Sequence, residues 1–200
     1  MKIMRDYPNN YRKIYGDVLI VLICILLFFA MILALFSGEI ISLIMPLKYN
    51  QSAGPLIVLS FAILTQATLQ ITAIGISIEK KTHLFVQLTW IAALINLTLN
   101  WILIKSLGLI GSAYATLISN FFLTVSYFYF TQKLHPIILS KNKLLKLVLI
   151  AILCMILSLF MVKSKFILNI MIIKITLISI LLFITASALP FNFIKVLNKK

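Results

Sequence analysis

Apolar stretches of about twenty residues recur along this chain, at 18–36, 55–78, 84–104, 109–130, 144–162 and 166–189. A helix needs roughly 20 residues to cross about 30 Å of hydrocarbon, so each stretch reaches or approaches spanning length. Strands of a membrane barrel would be about 10 residues long and would alternate in polarity, which these do not. Spans of this kind dominate the composition: 62% of the 200 residues are hydrophobic and 11% are charged, where a soluble domain carries about a quarter charged residues. The expected fold class is all-α, a polytopic helical membrane protein with six transmembrane helices. A basic segment (1–17) precedes the membrane domain (18–189), and a basic tail (190–200) follows it. The first stretch exceeds the roughly 7–15 apolar residues of a signal peptide, and five more follow it, so it reads as a span.

The formal net charge is +14, which could suggest nucleic acid. The placement of the cations argues against that. With the N-terminus in the cytoplasm, Lys2, Arg5, Arg12, Lys13, Lys80, Lys81, Lys133, Lys141, Lys143, Lys146, Lys195, Lys199 and Lys200 fall inside. Only Lys48, Lys105, Lys163 and Lys165 fall outside. That asymmetry predicts both termini in the cytoplasm by the positive-inside rule. Membrane lipids with anionic headgroups then account for the basic charge, and no nucleic-acid partner is expected.

The second stretch carries Thr65, Gln66, Thr68, Gln70, Thr72 and Ser77 where polar groups are costly. At about 100° per residue they fit an arc of about 200°, leaving Ile63, Leu64, Ala67, Ile71, Ile74 and Ile78 for lipid. In the third stretch Thr89, Ala93, Asn96 and Asn100 share a face. Such groups either bond neighbouring helices, at about 1 kcal/mol or less each, or line a hydrated path for a polar solute. Gln66, Gln70, Asn96, Asn100, Thr65 and Thr72 are the pathway candidates. A different economy governs GLIGSAYATLIS at 108–119. Gly108, Gly111, Ala115 and Ser119 fall within about 80° of one another, a small-residue groove through which helix backbones approach closely in lipid. The aromatic run 127–130 suits an interfacial belt.

Chemistry-bearing residues are sparse. Asp6, Asp17, Glu39 and Glu79 lie at or beyond span ends, so no buried carboxylate pair offers acid–base catalysis. No His/Asp/Glu cluster suggests a metal and no glycine loop suggests a phosphate cofactor. His83 and His135 fall in cytoplasmic loops and are expected to be solvated. Cys24 and Cys154 sit within spans as small packing residues. Lys174 is expected to snorkel from the start of the sixth span.

NLTLN at 96–100 followed by LGLIGSAYATLIS at 107–119 resembles the N-L-x-L-N … G-x-x-G-[AS]-A-x-A-T-x-I-S signature of bacterial polysaccharide exporters. These are the O-antigen-type flippases of the multidrug/oligosaccharidyl-lipid/polysaccharide superfamily. GEIISLI at 38–44, residues 49–59 and YPNNYRKIYGD at 7–17 are similar to the stretches preceding it. The resemblance runs from about residue 7 to 130, and the last two spans agree only in hydropathy.

The resemblance implies half of a two-lobed, flippase-like bundle in the bacterial inner membrane. It implies a cargo of undecaprenyl-pyrophosphate-linked oligosaccharide, moved between leaflets by alternating access. Members are about twice as long, so the chain corresponds to a C-terminal portion whose partner is the N-terminal lobe. No enzymatic role and no cofactor are expected. The rivals are a multidrug-extrusion-type exporter fragment, a membrane-embedded glycan-assembly enzyme and a non-transporting assembly partner. The signature and the absence of a mid-span acid disfavour the first. An enzyme would need acids, histidines or arginines in its spans or a large outer loop, and here the longest such loop is 37–54.

Overall fold

The computed structural model describes residues 10–163, together with 174, 176–179 and 185. Among these, regular structure is entirely helical. α1 (Tyr11–Leu35) begins well before its apolar run, because nothing polar between Tyr11 and Asp17 obliges a helix to stop. It breaks at Phe36, and α2 (Ser37–Ile44) resumes at once. Met45 and Pro46 are extended, which ends α2. A 3-10 turn (Leu47–Ser52) then leads into α3 (Ala53–Thr72). After Ala73 comes the short α4 (Ile74–Ile78). Two long helices follow, α5 (Thr82–Leu107) and α6 (Leu109–Leu134), and then α7 (Lys141–Lys163).

Among the described residues, five helical stretches are long and apolar enough to cross a membrane: Tyr11–Leu35, Leu47–Ile78, Thr82–Leu107, Leu109–Leu134 and Lys141–Val162. They correspond to the first five expected spans, extended at their ends by interfacial residues. The sixth expected span, 166–189, falls largely outside the described residues.

α6 lies between α5 and α3; α3 packs on α1, and α7 lies across α1 and α3. One cluster joins Ile20, Cys24, Leu27 and Met31 of α1 to Ile57 and Phe61 of α3 and to Leu147, Ile150 and Cys154 of α7. Both cysteines are free and buried in it. Between helices in lipid this packing stabilises through dispersion and close fit more than through removal of water. A second cluster brings Ala73, Ile76, Leu88 and Tyr127 together. α5 is the outlying element: 11% of its apolar window is buried, against 44% for α1.

The loops sort by end. Ile138 donates its backbone N–H to the Arg12 carbonyl at 3.2 Å, and His135 lies 3.5 Å from Glu79. Arg12, Lys13, Lys80, Lys81, Lys133, Lys141 and Lys143 therefore share one end of the bundle, while Lys48 and Lys105 stand a helix length away. Two expectations for charged groups change. Lys174 does not snorkel: its side chain is buried, its Nζ meets Glu39 Oε1 at 2.5 Å, and it lies 5.5 Å from the centre of the Phe36 ring. The acid at the α2 start gives it a nearer partner than bulk water. His135 is not freely solvated either, as described below.

Candidate functional site

The polar arc of the second span divides into two faces. Thr65, Thr68 and Thr72 turn inward, toward α1, α6 and α7. Their hydroxyls are satisfied by their own helix: Thr65 donates to the Ala62 carbonyl at 2.7 Å, Thr68 to Thr65 at 2.7 Å, and Thr72 to Thr68 at 3.1 Å. Gln66 and Gln70 point away from the bundle and are exposed. Among the described residues neither side chain has a hydrogen-bond partner. The reason is angular. At about 100° per residue, Gln66 and Gln70 lie within about 60° of Leu59 and Ile63, whereas the three threonines lie about 100° or more away. Ile63, expected opposite the glutamines, is 59% exposed beside them. The outward face of α3 therefore mixes two carboxamides with aliphatic side chains.

The asparagines occupy a different seam. Asn96 donates from Nδ2 to Ser119 Oγ at 3.0 Å, tying α5 to α6. Asn100 donates to the Asn96 side chain and to its carbonyl, both at 2.9 Å. Asn100 also borders a shallow depression with Leu97, Thr98 and Trp101, where Lys105 Nζ sits 4.7 Å from the Trp101 ring centre. The structure thus separates the four amide candidates, with Gln66 and Gln70 on one helix face, Asn96 in the α5–α6 contact and Asn100 bonded to Asn96 one turn along.

Small residues on α6 explain how α5 comes so near. Gly111, Ala115 and Ser119 are buried, and a Cβ on Gly111 would press into the Leu103 carbonyl of α5. Gly108 does something else. It is the only residue between α5 and α6, with φ 64° and ψ −141°, and a Cβ there would meet nothing within 4 Å. Its role is the turn, a conformation that L side chains rarely adopt.

Some polar contacts carry no signal at the spacing used above. Asn120 donates to the Ala62 carbonyl at 3.3 Å and Thr124 to the Thr65 carbonyl at 3.1 Å, both crossing from α6 to α3. Polar residues in mid-span one helical turn apart were the available clue. Tyr127 is buried within the bundle: its ring packs edge-on to Phe85 at 5.3 Å, and its hydroxyl is 2.9 Å from Thr89 Oγ1. At the basic end, His135 Nε2 is 2.9 Å from the Tyr11 hydroxyl and its ring stacks on Tyr11 at 5.5 Å. Arg12 Nε donates to the same hydroxyl at 3.1 Å. With Glu79 on its other nitrogen, His135 connects the ends of α1, α4 and α6.

No protein-family model, curated protein or solved structure matches the chain.

Proposed function

We propose that the chain is the C-terminal portion of a transporter that flips lipid-linked oligosaccharide across the bacterial plasma membrane. The glutamine face of α3 then borders the aqueous path. The sequence signature supports the family, and one structural observation supports the site. Gln66 and Gln70 stand one turn apart in mid-span, exposed and without a hydrogen-bond partner among the described residues. A carboxamide facing hydrocarbon without a hydrogen bond costs about 1–3 kcal/mol on mutational scales. Two on one face call for water, a polar solute or a second protein surface. A glycan offers many hydroxyls to neutral amides. In this reading a second lobe stands across the path from α3 and carries the charges that hold the pyrophosphate. The inward threonines and the Asn96–Asn100 pair serve packing.

Cysteine accessibility tests this. Cys24 and Cys154 are first replaced by alanine, and single cysteines are placed at Ile63, Gln66 and Gln70, with Asn96 and Ile156 as comparisons. In membranes of cells making the complete transporter, a water-soluble thiol reagent should label 63, 66 and 70 together, because they share a face. Positions 96 and 156 should resist, one held between helices and the other facing lipid. Labelling at the α3 positions should slow when lipid-linked oligosaccharide accumulates. Protection at 63, 66 and 70 equal to that at 156 would mean that the glutamine face meets lipid or protein, and the pathway assignment would fall.

A further inference from the structure

α6 and α7 both pack on α3 but hardly touch each other. Between them lie two adjoining cavities. The first, about 260 Å³, is lined by residues including Leu64, Thr68, Phe121, Phe128, Leu144 and Val148. The second, about 340 Å³, shares Leu64, Thr65, Phe121, Val148 and Ala151 with it and continues to Leu117 and Met155. Together they form one slot with α3 as its floor. The threonine hydroxyls are engaged by helix carbonyls: Thr124 donates to Asn120 at 2.9 Å, and Thr65, Thr68 and Thr72 bond within α3. What they offer the slot is apolar. Its rims are open to the outside, with Phe121 54%, Val125 49% and Val148 40% exposed.

We propose that this slot holds one acyl chain of an anionic phospholipid from the leaflet on the Lys141 side. Three features commit it to that occupant. The lining is almost wholly apolar and opens sideways at the depth of the long apolar helices, where acyl chains are the surrounding solvent. Its length fits one leaflet: from Leu144 to Met155 on α7, and from Phe128 to Leu117 on α6, eleven residues at about 1.5 Å each give about 16 Å. That is about half of the roughly 30 Å hydrocarbon thickness. Finally, Lys141 begins the row Lys141, Leu144, Val148, Met155, which shares one face of α7. The cation thus stands at the mouth of the slot, where a headgroup phosphate would lie. This inference goes beyond the transport reading and does not depend on which cargo, if any, is moved.

The test uses the full chain in nanodiscs containing phosphatidylglycerol with a photoactivatable group in the acyl chain, the cross-linked peptides being located by mass spectrometry. Labelling should concentrate on Phe121, Val125 and Val148. Val148→Trp, which fills the slot, should abolish that labelling, while Ile156→Trp, on the outer side of α7, should leave it unchanged. Lys141→Gln should reduce it about fivefold, the loss of one lysine near anionic headgroups. A phosphatidylcholine probe should label the slot weakly and without dependence on Lys141. Even labelling of α6 and α7 on all outward faces, insensitive to Val148→Trp, would show ordinary boundary lipid and overturn the proposal. So would a slot closed to every probe because the chain's own C-terminal segment or a second copy occupies it, revealed by peptide–peptide cross-links from Val148→Cys.

Discussion

Gly108 and Gly111 are three residues apart in the same small-residue run, yet they answer to different physics. At Gly108 the space is open and the backbone is the constraint, with φ at 64°. At Gly111 the backbone is ordinary helix and the space is the constraint, because the Leu103 carbonyl stands where a Cβ would go. Gly108→Ala should therefore cost about 1–3 kcal/mol of backbone strain without disturbing packing. Gly111→Leu must push α5 away, losing the Asn96–Ser119 hydrogen bond as well as overpacking the seam, a cost at or above about 1–3 kcal/mol. Ile118→Leu, at a position 45% exposed, should be nearly silent. The measurement is the fraction of each variant that stays monodisperse in detergent through a temperature series. Equal midpoints for Gly111→Leu and Ile118→Leu would remove the close-packing account of this seam.

Elements show where sequence reading succeeds and where it stops. Length and hydropathy locate the helices well, because hydrocarbon thickness imposes them. Which way a polar side chain faces is less legible. The arc containing Thr65, Gln66, Thr68, Gln70 and Thr72 looked like one face because 200° is wide enough to contain two, and only neighbouring helices decide between them. Threonine can satisfy its hydroxyl on its own helix, so its presence inside a bundle says little about water. His135, expected to be solvated, is engaged for a reason the local sequence does not carry: its partners, Tyr11 and Glu79, are 124 and 56 residues away in sequence. That histidine fastens the segment between α6 and α7 to the start of α1, helped by the Ile138–Arg12 backbone hydrogen bond. His135→Ala should speed amide hydrogen exchange across 135–140 and at the first turn of α1, while His135→Phe, keeping the stack on Tyr11, should speed it less. Exchange left unchanged by His135→Ala would mean that the backbone contact alone fastens the segment.

At the scale of the whole molecule, the gathering of Arg12, Lys80, Lys81, Lys133 and Lys141 at one end agrees with the charge asymmetry read along the chain. The positive-inside rule predicts that this end faces the cytoplasm. A reporter active only outside the cytoplasm should be active when fused at Tyr49, in the turn between α2 and α3. It should be silent when fused at Pro136, in the connection between α6 and α7. The reverse pattern would invert the orientation and place Lys141, with the lipid slot beside it, on the outer leaflet.

The one-residue link at Gly108 also bears on how the protein is made. Among the described residues, α5 and α6 are the least apolar of the five stretches long enough to span, with mean hydropathy 1.5 and 1.4 against 3.5 for the first. Asn96 adds to the cost of α5 entering lipid by itself, since its partner Ser119 is synthesised only afterwards. A single glycine leaves no outer loop that could wait on the far side while the second helix follows. The two helices are therefore expected to leave the insertion machinery as a hairpin, already bonded across Asn96 and Ser119, which would make the α5–α6 pair a unit of biogenesis before it is a unit of the fold.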